Sequence, residues 1–320
     1  MANKEIKFSI LFVSLLLVII FILDRVIEFG VKHSNKGQLG KINVLCDKSL
    51  QPEIAVFGSS VGEVGISSST LTRKTGLTAF NFSIDGTPFT QYEGLVREFN
   101  SQNENTKIVV FAETYFTFSP KHSLTALERY LAHISNKNVY ESLFKIQPNL
   151  VWKCKNIPFY KYVTVSHTYY LNAWDGYKSY FSKQIPSDSQ MGQVPVIRNW
   201  ESDADENLKK IKPFKIEIDS SIVEQYNFVL KRLNEKNRKV VIVLMPTFIE
   251  VSNKLTDFSP IREILSQLSE NKKNIYFLDY SKSSICLNKS LFYNSNHLNS
   301  IGANYFSSML ADTIITLNKL

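Results

Sequence analysis

The 320 residues carry 37 Lys and Arg against 29 Asp and Glu, a formal net charge of +8, with 44% hydrophobic and 21% charged positions. This balance belongs to a globular chain and argues against extended disorder. The basic residues alternate with Glu, Asp and Asn instead of forming a stripe, so no nucleic-acid partner is expected, only a mild preference for anionic surfaces.

The first element in chain order is apolar. After Lys4 and Lys7, the run Phe8 to Leu23 holds 16 residues without a charge, and Asp24 and Arg25 close it. The run is slightly short for a hydrocarbon core of about 30 Å, and the following RVIEFGV can extend the helix. No small-x-small cleavage site follows Leu23, which favours an uncleaved anchor over residues 1–27, embedded through residues 8–27, against a signal peptide. Two lysines on a very short N-terminal flank place that flank inside and export the rest as a single-pass membrane protein. Residues 28–51, with GVKHSNKGQLGK at their head, read as a polar stalk. A folded domain is expected over residues 52–320.

Within it, Ile54 to Gly58 is a continuous apolar run ending in Gly, the pattern of a buried parallel strand and a tight turn. Ser67 to Gly76 carries a serine cap at one end and Gly at the other, a short helix. Leu77 to Ser83 reads as a strand, PFTQYEGLVREFN as an amphipathic helix, and Lys107 to Glu113 as a third strand. A helix is expected near His122 to Ser135, then an aromatic, loop-rich insertion around 140–215, and a helix over Ser220 to Lys236. Lys239 to Pro246 and Asn274 to Tyr280 are two more strands around a helix from Pro260 to Glu270. The last helix opens on Ser300 as its cap. About five strands alternating with helices predict an α/β fold: a doubly wound, flavodoxin-like parallel sheet with ligands at the carboxyl ends of the strands.

Two segments at those ends carry chemistry. Gly58, Ser59 and Ser60 follow the first strand directly, so a serine hydroxyl stands on a strand-to-helix turn beside free helix N–H groups. The same tripeptide also serves as a plain turn or a phosphate cradle. In NSNHLNSIGA, His297 lies in the loop before the last helix. His33, His122, His133 and His167 have no comparable context. Cys46, Cys154 and Cys286 show no CxxC and no histidine at ligand spacing, so no metal and no cofactor is expected. A Cys46 to Cys154 bridge stays open for an exported domain.

Together, and in this order, these blocks resemble the SGNH (GDSL-like) hydrolase superfamily. Its membrane-anchored branch, with the alginate and peptidoglycan O-acetylation proteins and the D-alanyl transfer proteins, is the most similar. The resemblance spans residues 52–114 and 239–318. It implies Ser60 as nucleophile, His297 as base, and an oxyanion hole from Ser60, Gly86 of NFSIDG and the end of the third strand. It implies a serine esterase or O-acyltransferase acting on an extracytoplasmic glycan or another cell-envelope acyl ester, with a membrane O-acyltransferase (MBOAT) as a partner. The chain departs from the pattern twice. The family's Asp three residues before His is Asn294, with Asp279 as an alternative orienting acid. The third block, Gly-x-Asn-Asp in the family, is AETYF, where Thr114 replaces the asparagine donor and Glu113 brings an unwelcome carboxylate. These departures make a catalytically impaired SGNH-like scaffold subunit the rival reading. Trp152, Tyr160, Tyr169, Tyr170 and Trp174 offer either a sugar platform or a cover for the sheet.

Overall fold

The computed structural model describes residues 2–163, 165–182, 191–255 and 259–319; residues 183–190 of the expected insertion lie outside them. The elements run α1 (Ala2–Lys32), α2 (Gly37–Cys46), β1 (Ile54–Gly58), α3 (Ser60–Gly65), α4 (Ser68–Thr75), β2 (Ala79–Asn81), α5 (Phe89–Gln102) and β3 (Ile108–Glu113). The second half continues with α6 (Lys137–Ile146), α7 (Pro148–Asn156), α8 (Tyr160–Val163), α9 (His167–Ser182), α10 (Ser202–Lys210), α11 (Ser220–Asn234) and β4 (Lys239–Leu244). It closes with α12 (Ile249–Ser252), α13 (Ser259–Ser269), β5 (Ile275–Asp279), β6 (Phe292–Asn294), β7 (His297–Leu298) and α14 (Ser300–Lys319).

The five long strands form one parallel sheet in the order β2-β1-β3-β4-β5. This is the doubly wound, flavodoxin-like arrangement the alternation of elements predicts. The strands read as apolar runs because both faces are covered. Ala55, Phe57, Val109, Phe111, Val240 and Ile242 point into one core with α5, α6, α11 and α13. Val56, Val110, Val241 and Val243 alternate with them and point into a second core against α4 and α14. Period-2 alternation on a two-sided sheet demands apolar residues at every position.

The predicted helix at 67–76 forms as α4, capped by the Ser67 side chain accepting from Thr70 N–H and ended by Gly76 in the left-handed region. The expected helix at 122–135 is absent: residues 127–129 and 131–133 make two short 3-10 turns. The aromatic insertion, which shows no clean period in the sequence, is largely helical (α6 to α9). The cap of α14 falls one residue early, where Asn299 Oδ1 accepts from Gly302 N–H at 3.0 Å.

The polar-stalk reading of 28–51 is overturned. α1 runs on to Lys32 as one helix, fully exposed over 4–19 but buried at Asp24, Glu28, Gly30 and Val31. α2 then buries Leu39, Lys41, Ile42, Asn43 and Leu45 against the domain. Lys41 and Asn43 disguise this segment as linker. Each is buried yet bonded, Lys41 to Glu63 and the Ser83 carbonyl, Asn43 to the carbonyls of Val31 and Ser34. The Cys46 to Cys154 bridge does not form; both are free thiols.

Candidate active site

The sheet order reverses between β1 and β3, which is where doubly wound sheets hold their ligands. In register, Gly58 of β1 stands opposite Ala112 of β3. Ser60 and Thr114, each two residues further on, therefore leave the sheet side by side. A cavity of about 260 Å³ opens there, and Ser59, Ser60, Gly86, Thr114, Asn296 and His297 are among its lining residues.

Ser60 is the first residue of α3, with Ser59 as N-cap in extended conformation. Position N1 has no intrahelical acceptor for its N–H, so the serine presents both a hydroxyl and a free amide at the end of a strand. Two buried side chains hold α3 in place. Asn81, at the end of β2, donates to the carbonyls of Gly62 and Ile66 at 2.8 and 2.9 Å and accepts from Ser83 N–H. Glu63, one turn beyond Ser60, pairs with Lys41 at 2.6 Å and accepts from Gln38. Sequence reasoning passed over both: Asn81 is one letter inside a strand, and Lys41 sits in what reads as a stalk.

The histidine arrives on a minimal hairpin. β6 and β7 pair antiparallel with Asn294 opposite His297, and Ser295 and Asn296 make the turn. Phe248 N–H donates to the Ser295 carbonyl at 3.0 Å, tying the turn to the chain leaving β4. Tyr115 O–H donates to Asn296 Oδ1 at 2.9 Å, tying it to the chain leaving β3. The Tyr293 ring stacks on the imidazole at 5.5 Å between centroids.

Ser60 Oγ lies 2.8 Å from His297 Nε2 although 237 positions separate the residues. On the other side of the ring, Nδ1 lies 2.9 Å from Asn294 Oδ1. The same amide oxygen accepts from the backbone N–H groups of Asn296 and His297, both at 3.0 Å. Two fixed donors orient the Asn294 amide, so its oxygen, not its nitrogen, faces the ring. Nδ1 therefore carries the hydrogen, and Nε2 is left bare to accept from Ser60. Burial holds the imidazole below its ordinary value of 6.5, which keeps that nitrogen bare at neutral pH. The Asn294 oxygen thus stands where a triad acid would stand relative to the ring, without a charge.

Asp279 is placed elsewhere. It pairs with Arg262 at 2.9 Å and accepts from Ser281 N–H and O–H, at the end of edge strand β5. The Nδ1 position it would need is occupied by Asn294. Gly86 lines the cavity in the left-handed region, φ +68°, a conformation only glycine adopts without strain. Thr114 N–H is spent on Thr117 Oγ1, while Thr114 Oγ1 accepts from Phe116 N–H, and the residue lines the cavity with its hydroxyl still able to donate. Glu113 is less of an obstacle than its position suggests. Its carboxyl is buried and accepts from Tyr92, Tyr226 and Thr117 hydroxyls at 3.0, 2.9 and 2.7 Å. Burial raises its pKa against the lowering effect of those three bonds, and the three hydroxyl donors are turned onto it.

The proposed sugar platform does not line this cavity. Tyr162 O–H donates to the Asp24 carbonyl and Tyr177 O–H to the Val26 carbonyl, so the aromatic insertion clasps α1. Tyr169 is buried, and Trp152 and Trp174 face outward.

No family model and no curated protein matches this chain. Among solved structures, one from Streptococcus pneumoniae, provisionally described as a platelet activating factor, is similar over 88% of this chain and 93% of its own. Identity is 9% and the TM-score 0.44, a likeness too slight to carry function.

Proposed function

We propose that this chain is a membrane-anchored serine ester hydrolase or O-acyltransferase of SGNH type, acting on short acyl esters of an extracytoplasmic glycan or similar envelope component. The observation that carries this reading is the hydrogen-bonded chain Ser60–His297–Asn294, with the tautomer imposed by the Asn296 and His297 amides.

Ser60 Oγ attacks the acyl carbon as its proton passes to His297 Nε2. The carbonyl π electrons move onto oxygen, where the N–H groups of Ser60 and Gly86 and the Thr114 hydroxyl supply donors. Collapse of this adduct breaks the bond to the leaving alcohol, which takes the proton from the imidazolium. Water, or a sugar hydroxyl, then gives its proton to Nε2 and attacks the acyl-serine in the reverse sense. The cavity, at about 260 Å³, is at the small end of ligand sites, which favours a short acyl group. An acyl donor supplied by a membrane O-acyltransferase fits the same scheme.

The rival reading, an SGNH-like scaffold without turnover, is favoured by Asn294 in place of an acid and by Thr114 in place of an asparagine donor. A fluorophosphonate probe separates the two. The active-enzyme reading expects Ser60 to be labelled in the wild type, labelling to vanish in Ser60→Ala and fall sharply in His297→Ala, and acetyl-ester hydrolysis above the Ser60→Ala background. An unlabelled, inert wild type supports the scaffold.

A further inference from the structure

Among the described residues, large exposed apolar side chains outside α1 concentrate in one part of the molecule. Trp152, Ile157, Val163, Leu171, Trp174 and Phe181 are 40 to 76% exposed, all within α7 to α9 and their connections. A soluble surface disperses such groups; gathered ones mark a contact. The charge of the segment is equally one-sided. From Phe144 to Ser182 it holds Lys145, Lys153, Lys155, Lys161 and Lys178 against the single acid Asp175. Apolar and aromatic side chains interleaved with lysines are the composition of a membrane-water boundary, where rings sit at headgroup depth and lysines reach the phosphates.

The position of the segment identifies the occupant. At a rise of about 1.5 Å per residue, the apolar run 8–23 spans about 24 Å, roughly 6 Å short of a hydrocarbon core. The missing length corresponds to the next turn of α1, and that turn is where α7 to α9 are attached. Phe159 N–H donates to Asp24 Oδ1 at 3.1 Å, Tyr162 O–H to the Asp24 carbonyl at 3.1 Å, and Tyr177 O–H to the Val26 carbonyl at 2.7 Å. Lys161, buried, pairs with Glu28 at 2.5 Å and with Asp24 at 3.4 Å. α9 crosses α1 so closely that a side chain on Gly176 would overlap the Gly30 carbonyl. The shelf is therefore fixed rigidly to α1 at the level where the bilayer ends.

We propose that the surface formed by α7, α8 and α9 rests in the bilayer interface, with Ile157, Val163 and Trp152 in the headgroup-acyl boundary and Lys153 and Lys155 on anionic headgroups. This rests on the reading of α1 as a membrane span. The domain then sits flush on the membrane in one orientation instead of swinging on a stalk, and the shelf supplies the apolar depth that the short span lacks.

The test uses the full chain in vesicles containing anionic lipid, with lipids brominated either near the headgroup or near the acyl-chain ends. Three single-tryptophan variants are compared: Trp152 alone (W174F/W200F), Trp200 alone (W152F/W174F), and Phe12→Trp with the three native tryptophans changed to Phe. Expected are loss of Phe12→Trp emission with deep bromines, loss of Trp152 emission with shallow ones, and unchanged emission from Trp200. That ring packs on Phe248 against the core on the α4 and α14 side, whereas Ile27 and Val31 of α1 pack into the other core. Quenching of Phe12→Trp without quenching of Trp152 overturns the shelf while the span stands, and makes the patch a protein-binding face. No quenching of either overturns the span and the shelf together. Equal quenching of Trp152 and Trp200 overturns the single orientation.

Discussion

Two polar networks tie distant segments of this chain together, and they are built to opposite specifications. At the neck, Asp24, Glu28 and Lys161 are all nearly inaccessible and are ion-paired in one cluster that Arg25 and Lys32 join from the surface. At the carboxyl ends of the strands, Ser60, His297 and Asn294 are half-buried and hydrogen-bonded in series, and Ser60 and His297 open onto a cavity. The neck groups bond to one another and to the backbone that joins α1 to the insertion, so the cluster serves as a strut. The site keeps an imidazole nitrogen in hydrogen-bond reach of a serine hydroxyl beside an open cavity, the arrangement that the proposed ester chemistry needs. Burial alone does not distinguish a site from a strut; unspent hydrogen-bonding capacity beside an open volume does.

Substitutions can break that contrast, and the largest effect is expected at Ser60. Ser60→Ala should reduce ester hydrolysis to background, a loss on the order of 10⁴ to 10⁶. It removes one hydrogen bond, so thermal unfolding should shift by no more than about 1 kcal/mol. A large loss of stability would mean that the site is also a strut.

Asn294→Asp should come next, raising turnover by up to roughly 10⁴, the cost of the reverse change in a serine protease. The sign of its pH effect is fixed by charge. Burial depresses the His297 pKa below 6.5 in the wild type, so activity rises with pH through a limb below that value. A carboxylate on Nδ1 favours the imidazolium, raises the pKa, and moves the limb to higher pH. A pH-rate profile that keeps its limb, with no gain in rate, would show that Asn294 is not the group that orients and tunes His297.

At the neck, Lys161→Met removes the buried cation and leaves Asp24 and Glu28 to the more exposed Arg25 and Lys32, with an expected cost at the low end of about 3 to 5 kcal/mol. Chemical denaturation in detergent measures that cost. Activity of the protein that remains folded should match wild type, and a parallel loss of turnover would show that neck and site are coupled.

His133 joins α2 to the domain through Asn43 Oδ1 at 2.7 Å, and burial pushes its pKa down to about 3. The unfolded chain binds this proton near 6.5, so stability is full above that value and is lost as pH falls toward 3. His133→Gln, which keeps a donor for Asn43, should flatten that part of the stability curve. The smallest effect belongs to Asp279→Asn. Its ion pair with Arg262 has partners 29% and 23% exposed, so the change should cost less than about 1 kcal/mol and leave turnover unchanged. Any fall in activity would restore Asp279 as an orienting acid.

The sequence by itself determined the sheet and the two loops that meet at the candidate site. Apolar runs at Ile54–Gly58, Ile108–Glu113 and Lys239–Leu244 have few alternatives when both sheet faces must be covered. The blocks around Ser60 and His297 are local, and the turn after a strand and the loop before a helix each present one side chain whatever the rest of the chain does. Tertiary structure decided the rest. Asn294 became the orienting group because two backbone amides lock its oxygen toward the ring, and Asp279 did not because β5 lies at the sheet edge beside Arg262. Residues 28–46 read as linker because Lys41 and Asn43 are polar, and only the fold brings them the partners that make burying them favourable. The aromatic insertion lacks a clean period because its faces are divided between α1, the core and the outer surface. Local pattern reports one boundary between oil and water; where a segment meets three environments, the pattern averages out and only packing assigns each side chain its place.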